Sequence, residues 1–254
     1  MRAPEFEAVY GLLRTYLGKR PRRGPFPLES VLTWCILLCA QRGNDIRGDL
    51  LEIGVEFGTS AFLLLESMAA GEHATLIDLA PTEEWRTGIE GPYRDKVNHT
   101  FIVANSLNLD RARLPTGCRW IHIDGGHLYH QVQSDLALTA GSLSAPGILV
   151  LDDFFEIRWP DVTAATLDFL RANDHLTPFL LVNRKLYCTA QPEQGAAYSR
   201  MFSAFLQQHE GAIGHVRWWQ DVTLLDGPIL VAKIEPGRPL AALETDYLAV
   251  PLVL

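Results

Sequence analysis

Leu50-Leu51-Glu52-Ile53-Gly54-Val55-Glu56-Phe57-Gly58-Thr59-Ser60 reads as a short apolar strand, a glycine turn and the first residues of a helix. The same alternation continues outward from it. Thr59 to Ala69 has helical spacing, and Ala74 to Asp78 is a second strand. Thr100 to Ala104, Trp120 to Asp124 and Gly147 to Asp152 are three more strands, with Leu128 to Ser142 helical before the last of them. Strands alternating with helices imply parallel βαβ units, so the expected fold class is α/β with a doubly wound, mostly parallel sheet. Ligands bind such sheets at the carboxyl ends of the strands. Polar residues collect at those ends: Glu52 and Gly54, Asp78, Ser106, Asp124, and the pair Asp152-Asp153.

Upstream, Phe6 to Leu17 carries Val9, Leu12, Leu13 and Leu17 at helical spacing, and Pro27 to Gln41 reads as a second, mostly buried helix. Between them the basic run Lys19-Arg20-Pro21-Arg22-Arg23 reads as a solvated linker. Downstream, Asp161 to Ala172 is expected as helix, Phe179 to Cys188 as one strand, Gly195 to His209 as helix and Gly227 to Ile234 as the last strand. The chain is expected to form a single domain over 1–254. Residues 1–45 are its N-terminal helical extension, 49–155 its core, and 156–254 the remaining sheet and substrate-side elements. The additional N-terminal helices are candidates for a lid or a homo-oligomer interface, and the sequence leaves both open.

Composition narrows the class. Apolar residues are 48% and charged residues 20% of 254, as in ordinary globular proteins. A formal net charge of -8 disfavours nucleic acid as a partner, because phosphate backbones need clustered Lys and Arg. Cys35, Cys39, Cys118 and Cys188 form no C-x-x-C pair and three lie in apolar runs, so reduced, packed thiols and a cytoplasmic location are expected. No signal peptide is read at Met1 to Glu5, and the apolar stretch near Val31 to Ala40 is too short to span a bilayer.

The first turn suggests a cofactor. Gly54 lets the backbone bend and approach a ligand, while Gly58, Thr59 and Ser60 sit where helix N–H groups are free. Its spacing, E-x-G-x-x-x-G, departs from the dinucleotide pattern G-x-G-x-x-G and favours a cofactor without a pyrophosphate. Asp78, closing the second strand, can accept hydrogen bonds from both hydroxyls of a ribose.

The second cluster is Ile123-Asp124-Gly125-Gly126-His127 with Leu151-Asp152-Asp153-Phe154. Adjacent parallel strands would bring three carboxylates together, and a hard cation such as Mg²⁺ or Ca²⁺ would offset their repulsion. An aspartate pair can also simply end a strand, but a tandem pair facing an I-D-G-G-H loop favours the metal. His127 follows Asp124 by one short turn and has the reference pKa, roughly 6.5, of a general base near neutral pH. His130 is the weaker candidate, since the helix carries it away, and His122 is expected in core or sheet surface.

These stretches resemble a known family. Leu51 to Gly58 looks like the first motif of class I S-adenosylmethionine-dependent methyltransferases, and Leu76-Ile77-Asp78 like the second. The resemblance implies a Rossmann-like sheet, with Glu52, Gly54 and Gly58 along the methionine part of the cofactor, Asp78 at its ribose and Asn105-Ser106 at its adenine. Glu56, Thr59, Ser60 and Asp124 complete the expected cofactor set. I-D-G-G-H-x-Y at 123–129, Ser134-Asp135-Leu136 and P-G-I-L-V-L-D-D-F at 146–154 resemble metal-dependent O-methyltransferases of natural-product biosynthesis, the macrolide sugar type among them. By that resemblance Asp124, Asp152 and Asp153 bind Mg²⁺ or another divalent cation, and His127 is the base. Some relatives carry Glu-Asp where this chain has Asp-Asp, and either pair can ligate the metal. The resemblance is good over 49–155 and thin elsewhere.

The implied activity is methylation of a hydroxyl on a small molecule, a sugar or other diol. Trp85, Tyr129, Phe155, Trp159, Trp218 and Trp219 are candidates for the acceptor pocket, with Tyr129 and Phe155 preferred because they flank the catalytic loops. Competing readings are a same-fold tailoring enzyme of hydroxylase-like chemistry and a cofactor-binding protein without catalysis. A nicotinamide-dependent dehydrogenase ranks last, for want of G-x-G-x-x-G.

Overall fold

In the computed structural model, which describes residues 1–20, 24, 26–93, 95 and 97–237, two helices precede the first strand: α1 (Phe6–Lys19) and α2 (Leu28–Gly43). Pro21, Arg22 and Arg23 of the basic run lie outside the described residues. Helix α1 is amphipathic, with Val9, Leu13, Tyr16 and Leu17 turned inward at helical spacing. Helix α2 is buried at every position from Ser30 to Gln41. A helix apolar on all faces must be covered on all sides, and α2 packs between α1 and the sheet.

Thereafter come β1 (Leu50–Ile53), α3 (Thr59–Ser67), β2 (Ala74–Asp78), a short helical cap over 83–93, β3 (His99–Val103), β4 (Cys118–Ile123), α4 (Tyr129–Thr139) and β5 (Leu143–Leu151). The chain continues with α5 (Pro160–Ala172), β6 (Thr177–Val182), β7 (Lys185–Thr189), α6 (Pro192–Ile213), β8 (Gly214–Leu224) and β9 (Gly227–Pro236). The strands form one mostly parallel sheet in the order β3-β2-β1-β4-β5-β7-β6-β9-β8. Strands β3 to β5 of that order run parallel, β7 runs antiparallel to both β5 and β6, and β8 antiparallel to β9.

From β1 the chain winds outward to β2 and β3, then returns to the other side of β1 as β4. That reversal opens a crevice at the carboxyl ends of β1 and β4, where ligands bind in sheets of this kind. Side chains alternate across the sheet as the pleat requires. On β4, Trp120 joins the core beneath α2 while Ile121 and Ile123 join the opposite core. Trp34 of α2 meets both Trp120 and His122 edge-on, with ring centroids 5.0 Å and 4.8 Å apart.

Two expectations for the last third are corrected. Phe179 to Cys188 is a hairpin rather than one strand. Asn183 and Arg184 both adopt left-handed backbone, φ 47° and 60°, and turn the chain in two residues. The familiar signal for such a turn is Asn-Gly, which an arginine in second place conceals. Strand β8 was not anticipated, and α6 runs past His209 to Ile213; His209 itself is non-helical, φ -116°, and marks a kink. The four cysteines are free and buried. Among the described residues no helix is long and apolar enough to cross a membrane.

Candidate active site

The crevice is a cavity of about 400 Å³. Its first wall is the turn after β1. Gly54 has φ +87°, and a Cβ there would lie 1.8 Å from the carbonyl oxygen of Asp124. Only glycine lets the ends of β1 and β4 approach this closely. Gly58, φ +79°, starts α3, and a Cβ on it would strike Ile89 and Trp85 of the 83–93 cap. Gly54, Glu56, Thr59 and Ser60 line the cavity. Asp78 lines it too, and its carboxylate braces the turn. Its Oδ2 accepts from the N–H groups of Val55 and Glu56 at 2.7 Å each, and its Oδ1 from Leu79 N–H at 2.6 Å. Asn105 and Ser106 line the cavity as well. The Asn105 Oδ1 is committed to Leu107 N–H, 3.1 Å away.

Glu52, expected at the cofactor, does not line the cavity. It is wholly buried behind the wall, where its Oε1 accepts from Nδ1 of His122 at 2.7 Å.

The opposite wall is acidic. Asp124 and Asp152 line the cavity with Gly125, Gly126 and His127. The His127 Nε2 is 3.1 Å from Oδ2 of Asp153 and 4.0 Å from Oδ1 of Asp124. Its ring stacks on Trp159, with centroids 4.6 Å apart and planes 12° from parallel. Asp153 and Phe155 both have left-handed backbone, φ 55° and 65°, a conformation that costs energy for residues with a Cβ and clusters at functional sites.

Desolvation, reinforced by the Asp152 charge, pushes the Asp124 carboxyl well above its usual range. The Asp152 carboxyl is held well below that range: burial opposes this, but Lys185 and His122 outweigh it. Burial likewise disfavours the His122 cation, yet its hydrogen bonds to Asp152 and Glu52 prevail and raise it to about 9.

The donor set suits a hard divalent cation. Asp124, His127 and Asp153 each bring one ligand atom within 4.8 Å of the others, and His122, Asp124 and Asp152 form a second such group. A cation there would offset both the repulsion among these carboxylates and the desolvation that disfavours the Asp124 charge.

Residues 51–154 match the family model described as a methyltransferase domain. The matched segment holds the glycine turn, Asp78 and the acidic wall. No curated protein matches the chain. Among solved structures, the chain is similar to the O-methyltransferase NovP at 12% identity and a TM-score of 0.55, over 72% of this chain and 98% of that one. It is also similar to an O-methyltransferase from Bacillus cereus in complex with SAH, at 13% identity and a TM-score of 0.50, over 74% and 92% of the two chains. At such identities the likeness is one of fold.

Tyr129 and Phe155 stand outside the cavity. Tyr129 is exposed, with its hydroxyl donating to Asp168 at 2.9 Å, and Phe155 is exposed against Phe154. Leu128, Ile157 and Trp159 are exposed on the same two loops, so an apolar rim borders His127. His130 is exposed and does not line the cavity. Trp85, an acceptor-pocket candidate, is fully buried against Phe101, and Trp218 packs on the core.

Four site residues escaped the motif reading: Phe26, Gln131, His122 and Lys185. The first three line the cavity, and Lys185 is bonded to Asp152. Lys185 did carry a signal, as the cation after Arg184 that begins the otherwise apolar run Lys185-Leu186-Tyr187-Cys188. Charged residues are almost never fully buried without a partner.

Proposed function

We propose that this chain is a cytoplasmic, divalent-cation-assisted, S-adenosylmethionine-dependent O-methyltransferase acting on a hydroxyl of a small molecule. The observation that carries the reading is one cavity with two chemically distinct ends inside a methyltransferase domain. The glycine turn, Asp78 and Ser106 make one end. Asp124 and His127 make the other. Two proteins of the same fold are O-methyltransferases, and one of them holds SAH. When bound, S-adenosylmethionine would supply a sulfonium methyl group and a cation such as Mg²⁺ a Lewis acid.

The chain's own residues do the rest. Gly54, Glu56, Thr59 and Ser60 would hold the cofactor beside the start of α3, with Asp78 as the acceptor for its ribose hydroxyls. Asp124 and Asp153 offer carboxylate oxygens to the cation, with Asp152 beside them. His127 takes the proton of the acceptor hydroxyl on Nε2, and Asp153 stabilises the resulting imidazolium. A sulfonium cofactor held at the glycine turn would supply the methyl group to that oxygen and would itself leave as the neutral thioether. Tyr129 and Phe155 on the apolar rim favour an acceptor with an apolar body, such as a diol-bearing natural product or its sugar.

Calorimetric titration with S-adenosylmethionine and its demethylated product, with and without Mg²⁺, tests the reading. Micromolar binding is expected. Methyl transfer to diol acceptors should fall at least about 100-fold in His127→Ala, within the usual contribution of a general base. Absence of cofactor binding under both conditions would overturn the assignment.

A further inference from the structure

Asp152 is bonded on both sides by the protein. Its Oδ2 takes a hydrogen bond from the ammonium of Lys185 and lies 3.6 Å from Nε2 of His122. Its Oδ1 accepts from Asp153 N–H at 2.8 Å. Lys185 opens β7, the strand hydrogen-bonded antiparallel to β5, and is only 3% exposed. Its Nζ also lies 5.3 Å from the centre of the Phe26 ring, which lines the cavity. A buried ammonium is costly to strand, so the pair with Asp152 is held on both sides.

Asp124 and Asp153 are placed differently. Neither has an ion pair with Lys185 among the described residues; the His127 Nε2 lies 4.0 Å from Asp124 and 3.1 Å from Asp153, and His122 is also near Asp124. Asp124, His127 and Asp153 bring their ligand atoms together in one group, and Asp124 also stands in a second group with His122 and Asp152, whose Oδ2 is the oxygen bonded to Lys185.

We propose that Lys185 is a positioning residue of the active site: it holds Asp152 as a tethered counter-ion, so that a divalent cation is ligated by Asp124 and Asp153 and not by Asp152. This rests on the cation-assisted reading of the site given above. It alters the ligand set that three converging aspartates suggest. Asp152 becomes a fixed wall that orients Asp153 through the shared backbone, and the lysine sets how tightly the cation is bound. Affinity of such oxygen sites follows the number of charged ligands, so releasing a third carboxylate should tighten binding.

The test is Mn²⁺ binding to the full chain, read from the resonance of the free ion, in the unsubstituted protein and in Lys185→Met and Lys185→Gln. Both variants, folded by circular dichroism, are expected to bind Mn²⁺ roughly tenfold or more tighter, because Asp152 becomes a ligand. Adding Asp152→Asn to Lys185→Met should return the affinity to that of the unsubstituted protein. Asp153→Asn should weaken it by at least a similar factor. Unchanged or weaker binding in both lysine variants overturns the role of Lys185 while leaving the cation site standing. No Mn²⁺ binding by any of these proteins overturns the cation-assisted reading itself. In the unsubstituted protein the Lys185 ammonium resonance should persist when Mg²⁺ is added, and its loss would overturn the proposal whatever the variants do.

Discussion

His122 and Glu52 are register partners on neighbouring parallel strands, and their side chains meet at 2.7 Å with neither exposed to solvent. The register that packs β4 against β1 therefore builds a buried ion pair directly behind the cavity. Asp152, on the other side of the imidazole, extends it toward the acidic wall.

This pair makes stability depend on pH in the alkaline range. The folded His122 is raised to about 9 from an ordinary value of 6.5, so its contribution is fully present below 6.5 and is lost as pH rises through 9. A loss of up to about 3 kcal/mol is expected between pH 6.5 and 9.5, by the usual conversion of pKa shift to free energy. Urea unfolding at a series of pH values measures it. His122→Gln should flatten the slope, and an unchanged slope would assign the alkaline loss elsewhere.

A second buried pair sits at the opposite end of the strands. The guanidinium of Arg119 is bidentate to Glu72 at 2.7 and 2.8 Å, and also donates to Gln41 Oε1 and the Ser67 carbonyl. Arg119 is wholly buried. Glu72→Ala would leave that cation unpaired and should cost about 3–5 kcal/mol, measurable as a lowered urea midpoint. Burial works against the Glu72 carboxylate, but the Arg119 bonds prevail and hold its pKa below 4.5. The pair's contribution is thus present above pH 4.5 and is lost as pH falls through the lowered value.

Which parts of this molecule were legible follows from how local the physics is. Gly54, Asp78, Asp124 and the Asp152-Asp153 pair lie at strand ends, and strand ends can be read from periodicity and glycine alone. The parallel order of β1 to β5 then places them around one crevice. Glu52 was misplaced because its side chain points into the sheet toward His122, a fact of register between strands 70 residues apart in sequence. Lys185 reaches Asp152 only because Asn183 and Arg184 reverse the chain and lay β7 beside β5. No motif around position 185 announces that pairing. Trp85 looked like a pocket aromatic in sequence, yet it covers Gly58 as core.

The close approach of β1 and β4 predicts a graded response to alanine. At Gly54 a Cβ meets the Asp124 carbonyl at 1.8 Å in a left-handed backbone, so Gly54→Ala must part the strand ends. We expect a loss of at least about 2 kcal/mol in stability, together with a tenfold or greater loss of cofactor-product binding. Gly117→Ala is the control, because φ is +73° there and nothing lies within 4 Å of the added methyl. It should cost only the backbone term, about 1 kcal/mol. Equal effects at both positions would show that the strand contact is unimportant.

Asp135, on α4, is fully buried, and its carboxylate oxygens lack a well-formed hydrogen bond, with the Ser106 side chain nearby. It sits beneath the Asp124 to His127 loop, where a Cβ on Gly125 would lie 2.7 Å from its Oδ2. Burial pushes its carboxyl up to about 6, against a smaller pull from the Ser106 side chain. Between pH 4 and 6 the folded chain therefore keeps a proton that the unfolded chain releases, and stability falls as pH rises through that window. Above pH 6 the penalty persists, on the order of 3 kcal/mol by the same conversion. Asp135→Asn keeps the shape and removes the charge. It should match the unsubstituted protein at pH 4 and exceed it by about 2–3 kcal/mol at pH 8 in urea unfolding. Were the variant instead less stable at pH 8 than at pH 4 relative to its parent, the Asp135 carboxylate would have a stabilising partner in the folded chain, and Ser106→Ala would then identify it.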